Sequence, residues 1–192
     1  MTGGAEQTRA RRRDAVERRS RLVAAAQREF AARGVNASLE GIARDAGVAI
    51  GTLYRHFPTR DDLVAAVLAL RDGEVVERLE AIEELPDAAL ALEEWIAAVE
   101  VYLDTLNDLV GPIGRALSDE GSPIAVSCQW LIEASDRVVD RAQGVGAVAV
   151  DLRGKDVLYA AFAIAWARRT AGEDVRSADA VQRIVMRGLR RA

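Results

Sequence analysis

Apolar residues along this chain recur at three- and four-residue spacing, the mark of helices with one buried face. Leu22, Val23, Ala26 and Phe30 share one side of a segment whose other side is rich in arginine, which predicts a helix over 14–33 stopped by Gly34. Ser38 is placed to cap a short second helix containing Ile42, Ala43 and Ala46, and Gly47 ends it. A third helix follows over 50–57. Thr59 with Asp62 three residues on forms a capping box, from which a long helix is expected toward Glu84, with a possible bend at Gly73 and a break at Pro86.

Beyond Pro86 the helical spacing continues. Leu92, Ile96, Val99, Leu103 and Leu106 line one face, widened by Trp95 and Tyr102. Gly111 and Pro112 end that segment; a short helix over 113–117, a turn at 121–123 and a helix over 124–142 come next. Residues 144–154 alternate as in a strand at Val148, Val150 and Leu152, but no second strand is available for pairing, so a loop is expected. Helices over 155–171 and 177–190 complete the chain.

Composition agrees with this pattern: half of the 192 residues are apolar and only 5% are aromatic, while alanine, leucine, arginine and glutamate abound, which suits packed helices better than sheets. The fold class is all-α. Charge divides the chain unevenly. Residues 1–60 hold 12 arginines and 6 acids, a net of +6, against 14 basic and 24 acidic residues in the remainder, a net of −10. The first part suits a polyanion and the second does not. Cys128 is the one cysteine, which excludes an intrachain disulfide and a cysteine-based zinc site, and its apolar surroundings predict a buried side chain. Neither a signal peptide nor a membrane span is legible, so a cytoplasmic protein is expected.

Residues 39–57, LEGIARDAGVAIGTLYRHF, meet the steric demands of a helix-turn-helix. Ala43 is small where the helices touch, Gly47 tolerates the turn, and Ile42, Ala46, Val48 and Leu53 clamp the crossing. In that geometry the helix over 50–57 enters the major groove of double-stranded DNA, with Ile50, Gly51 and Tyr54 at base edges. Thr52, His56 and Arg60 are candidates for phosphates. Tyr54 has a second reading as a core residue, although Leu53 and Phe57 already supply the apolar side. His56 alone would be structural; within this motif a phosphate contact is favoured. Arg9, Arg11, Arg12 and Arg13 form a basic tail over 1–13, expected to be disordered or to act as an arm on DNA.

The segment Ser38-x-x-x-Ile42-Ala43-x-x-Ala46-Gly47-Val48, followed by Gly51-Thr52-Leu53-Tyr54-Arg55-His56-Phe57-Pro58-Thr59-Arg60-Asp61-Asp62-Leu63, resembles the N-terminal signature of TetR-family repressors over about residues 20–70. The resemblance implies a homodimer of nine or so helices, with a DNA-binding domain (14–60) and a larger domain (61–192) that binds an inducer and dimerises through its last two helices. It also places Ser38 and Glu40 near DNA at the start of the second helix. Ala49 departs from the pattern, standing where the family often has a serine cap.

Trp95, Tyr102, Trp130 and Phe162 are candidates to line an effector cavity, or else ordinary core. The final helices have apolar faces broad enough for a symmetric partner, or to cover their own domain. The expected function is a ligand-responsive repressor that binds a palindromic operator as a dimer and is released by a small-molecule inducer. The alternative is a helical small-molecule-binding or scaffold protein that does not act on DNA. No cofactor or metal is implied, and the chain lacks a glycine-rich phosphate loop and a nucleophile–base pairing, which argues against an enzyme.

Overall fold

Nearly every helical run expected from the spacing forms, but two boundaries move. The computed structural model describes residues 3–70, 72–104, 111, 113–114, 118–119, 121–172 and 175–189. It divides into two units, residues 1–70 and 71–192.

The first unit contains α1 (Gly3–Arg33), α2 (Leu39–Asp45), α3 (Ile50–His56) and α4 (Arg60–Ala69). Helix α1 packs on α2 and α4, and α2 packs on α3. Leu22, Val23, Ala26 and Phe30 of α1 are buried with Ile42, Ala43, Leu53, Phe57, Leu63, Val64 and Val67, so the apolar stripe of each helix faces the others. Helix α1 starts eleven residues before the Asp14 start expected from apolar periodicity, and the stretch read as a disordered tail is helical from Gly3. Residues 7–13 contain strong helix formers, chiefly arginine, but no apolar stripe, so periodicity is blind to them.

The second correction concerns α4. It belongs with the first unit and the boundary lies at 70/71, not at 60/61, because Leu63, Val64, Val67 and Leu68 are all buried in an element packed on α1. The long helix expected from Thr59 toward Glu84 is accordingly two helices, with the break at Leu70 and not at Gly73.

The second unit contains α5 (Asp72–Glu83), α6 (Ala88–Asp104), α7 (Pro123–Gly144), α8 (Gly154–Ala171) and α9 (Val175–Leu189). Helix α8 is central, packing against α6, α7 and α9, while α6 also meets α5 and α7. The α7–α8 contact depends on Gly154: a Cβ built there would lie 2.4 Å from the backbone nitrogen of Asp136, and the Gly154 N–H donates to Asp136 Oδ1 at 2.7 Å. Arg141 of α7 donates to the carbonyls of Glu83 (2.8 Å) and Leu85 (2.7 Å), satisfying acceptors at the end of α5. Residues 145–153 form the expected loop between α7 and α8. Gly111, Ile113 and Gly114 are helical; the rest of the expected 113–117 helix, and Leu106 of the α6 face, lie outside the described residues. Among the described residues, no helix is long and apolar enough to cross a membrane.

Candidate nucleic-acid interface

The crossing of α2 and α3 follows from a short list of residues. Ser38 caps α2, its Oγ accepting from the Gly41 N–H at 3.2 Å and donating to Glu40 Oε2 at 2.9 Å. Gly47 adopts a φ of 67°, a left-handed conformation that a side chain strains, and the Val48 N–H closes the turn on the Ala43 carbonyl at 3.0 Å. Ala43 is buried in the α2 face. Helix α3 then starts after Ala49, whose side chain offers no cap, so the absence of serine there leaves the first-turn N–H groups without that partner.

Helix α3 separates its residues cleanly by side. Leu53 is 0% exposed and Phe57, just past the last turn, is 2% exposed, while Tyr54 is 47% and Ile50 36% exposed. Gly51 opens onto free space, with nothing within 4 Å of a Cβ built there. Ile50, Gly51 and Tyr54 therefore present one outward strip, and Leu53 and Phe57 anchor the opposite side. Of the two readings of Tyr54, the structure places it outward.

The polar candidates are distributed around that strip. Ser38 and Glu40 are exposed at the start of α2. The Glu40 carboxyl is held below the usual carboxylate range, first by its own backbone N–H, then by the Ser38 hydroxyl, with Arg60 adding a favourable charge. Thr52 is half-buried, and its Oγ1 accepts from Arg55 Nη2 at 3.3 Å, while Arg55 Nε donates to the Gly51 carbonyl at 3.1 Å. His56 is half-buried with its ring tilted beside Phe57, the centroids 6.3 Å apart. Arg60 is engaged inside the unit: Nη1 donates to the carbonyls of Val35 and Ala37, each at 2.7 Å.

Cations overlooked in reading the motif also flank it. Arg55 is exposed on α3; the Arg19 guanidinium lies 5.1 Å over the Phe57 ring; and Arg21 Nη1 is 3.7 Å from a Cβ built at Gly47. The signal for Arg19 and Arg21 was present in the arginine-rich face of α1, but only the fold shows that this face borders α3 and the turn. Arg28 of α1 pairs with Asp45 of α2 at 2.6 Å, fastening the end of α2.

The effector candidates lie in the second unit. Trp95 is fully buried, its indole N–H donating to Ser135 Oγ at 2.8 Å, and that hydroxyl donates in turn to the Leu131 carbonyl at 2.8 Å. Tyr102 and Phe162 are buried and Trp130 is half-buried. The four residues sit on α6, α7 and α8, which pack against one another. Cys128 is buried, as its surroundings predicted.

Comparison with known proteins agrees with both units. A model described as bacterial regulatory proteins of the tetR family matches residues 22–67, and one described as the C-terminal domain of SbtR-like transcriptional regulators matches residues 87–191. A TetR transcriptional regulator of Streptomyces coelicolor is 32% identical, with a TM-score of 0.53 over 90% of this chain and 98% of that one. FadR of Bacillus subtilis, solved in complex with stearoyl-CoA, shares the fold at 20% identity, with a TM-score of 0.63 over 88% of this chain and 98% of that one. Among curated regulators, SrpR of Pseudomonas putida is 36% identical over 95 residues, 49% of this chain and 42% of that protein. An HTH-type transcriptional regulator of Staphylococcus aureus is 43% identical over 58 residues, 30% of this chain and 31% of that protein. The chain thus spans less than two thirds of the length of these curated relatives. The matched N-terminal segment contains the α2–α3 crossing, and the second match extends over more than half of the chain, so the protein belongs to the TetR family of helix-turn-helix transcriptional regulators.

Proposed function

We propose that the protein is a ligand-responsive transcriptional repressor that binds a palindromic operator as a homodimer and leaves it when a small molecule binds the second unit. It acts in the cytoplasm, by binding and without a chemical step. The observation that carries this reading is the outward strip of Ile50, Gly51 and Tyr54 on a helix whose other side is anchored by Leu53 and Phe57. A rigid helix with exposed residues near its N-terminal end is what major-groove readout requires.

In this reading Ile50 and Tyr54 meet base edges by apolar and hydroxyl contact, and Gly51 lets the α3 backbone approach closely. Thr52 and His56 contact phosphates, and Ser38, whose one hydroxyl hydrogen goes to Glu40, lies near DNA as the cap of α2. Glu40 sits at the edge of the same surface, where its charge keeps phosphate away from one side and so contributes to register. Arg60 orients the loop before α2 through the Val35 and Ala37 carbonyls.

Two recognition helices are needed for two half-sites about 34–36 Å apart. The dimer forms through α8 and α9, where Trp166 is 63% and Ile184 is 70% exposed, large apolar surfaces that a symmetric four-helix contact would cover. The effector occupies the interior lined by Trp95, Tyr102, Trp130 and Phe162. An effector shifts the operator equilibrium only by its difference in affinity for the two states, so the inducer binds the state with the wrong spacing of α3 helices more tightly. The complex of FadR with stearoyl-CoA is a precedent for a small-molecule ligand on this fold.

A footprint on the DNA flanking the protein's own gene tests the reading. The expected result is a protected inverted repeat with half-site centres about one helical turn, or a multiple of it, apart. Equal weak binding to all sequences would instead favour a helical binding or scaffold protein that does not act on DNA.

A further inference from the structure

Helix α1 is longer than the core it serves. Its first buried residue is Leu22, yet it is helical from Gly3. Residues 7–14 are all exposed, so this extension covers no apolar surface of its unit. Over residues 7–21 the chain carries seven arginines against two acids, Asp14 and Glu17. Asp14 is engaged with Arg18 at 3.3 Å, which leaves the segment ahead of it strongly cationic.

The direction of this charge follows from helical geometry. At about 100° per residue, Arg9, Arg12 and Arg13 fall within an arc of about 100°, and Arg12 stands two turns before Arg19 on nearly the same side. Arg19 is the residue whose guanidinium lies 5.1 Å over Phe57 at the end of α3. Past one turn that holds Ala15 and Val16, arginines thus recur on the side of Arg19 further out along α1, the span from Arg19 to Arg9 being about 15 Å at 1.5 Å per residue.

We propose that this extension, residues 7–13 of α1, is a second DNA contact that grips backbone phosphates beyond the base pairs read by α3. The proposal rests on the DNA-binding reading above. Guanidinium groups bind phosphate oxygens bidentately, which suits the three arginines that share this arc. The segment contacts phosphates and not minor-groove bases: a helix with side chains is about 10–12 Å across, while the minor groove of B-DNA is about 6 Å wide. Its contribution is affinity and salt dependence without added sequence preference.

The test uses the full chain and its footprinted operator in two lengths, one trimmed to the α3 half-sites and one with about ten further base pairs on each side. The wild type binds the longer duplex more tightly. In the R9Q/R12Q/R13Q variant that preference disappears, and the slope of log affinity against log salt becomes shallower by about 2 to 5, from up to six lost phosphate contacts per dimer at about 0.9 each. Preferences among substituted operator bases stay the same, and R9K/R12K/R13K restores most of the slope. An unchanged slope and an unchanged gain from flanking DNA in the glutamine variant, with specific binding intact, overturn the proposal. A wild type that binds all sequences equally fails earlier and for a different reason, since it removes the DNA-binding reading itself.

Discussion

Nη1 of Arg60 donates to the carbonyl of Ala37 at 2.7 Å, tying the first residue of α4 to the residue that precedes the Ser38 cap of α2. The same nitrogen holds the Val35 carbonyl, so one guanidinium fixes the loop between α1 and α2. Arg60 is thus a positioning residue for the interface. Arg60→Ala is expected to destabilise the protein by about 1–3 kcal/mol, because hydrogen bonds to a charged group are lost and two carbonyls lose their partner. Thermal unfolding checks this; loss of operator affinity with unchanged stability would return Arg60 to a direct phosphate role.

Gly51 offers an unusual combination. Nothing lies within 4 Å of a Cβ built there, so Gly51→Ala is expected to stabilise α3 by about 0.5–1 kcal/mol through reduced backbone freedom. The same methyl would separate the α3 backbone from DNA, lowering operator affinity by tenfold or more. Unfolding and gel-shift titration of one variant give the two signs. A gain in stability with unchanged affinity would place the backbone at Gly51 away from the bases.

Gly154 behaves oppositely. A Cβ there meets the Asp136 nitrogen at 2.4 Å and the Ser135 carbonyl carbon at 2.7 Å, backbone atoms that cannot swing aside. Gly154→Ala is expected to cost about 3 kcal/mol, at the upper end of ordinary overpacking. Gly144→Ala, at the end of α7 with open space around it, is the control and is expected to be neutral or stabilising.

How much of this was legible in sequence depended on what each residue touches. The α2–α3 crossing was readable because its requirements are local: a turn glycine at 47, a small residue at 43 and apolar anchors at 53 and 57 fall within one short window. The start of α1 was not, since a polar arginine-rich helix has no apolar stripe to betray it. Nor was the place of α4, because its apolar residues fit a long helix of either unit until α1 is seen packed against it. The occupation of Arg60 was invisible for a similar reason, its acceptors lying 23 and 25 residues earlier in the chain. Trp95 was legible as an apolar anchor, but its bond to Ser135, 40 residues away, was not.

The dimer proposal makes a direct prediction about Trp166 and Ile184, which are 63% and 70% exposed in the single chain. Placing a charge at either, as in Trp166→Glu or Ile184→Glu, buries an unpaired carboxylate in the proposed four-helix contact while leaving the single chain's core intact. Sedimentation is expected to show a monomer in place of a dimer. A dimer that persists in both variants would move the contact off α8 and α9.

The central claim is that α3 faces outward to read DNA, and Tyr54→Ala tests it most directly. Tyr54 is 47% exposed, so its truncation should change stability by no more than about 0.5 kcal/mol. Titrated against the fragment upstream of its own gene, the variant is predicted to lose operator affinity by tenfold or more, since a base contact contributes about 1–3 kcal/mol, while its weak binding to scrambled DNA stays the same. Identical titrations for the two proteins on both DNAs would contradict the account.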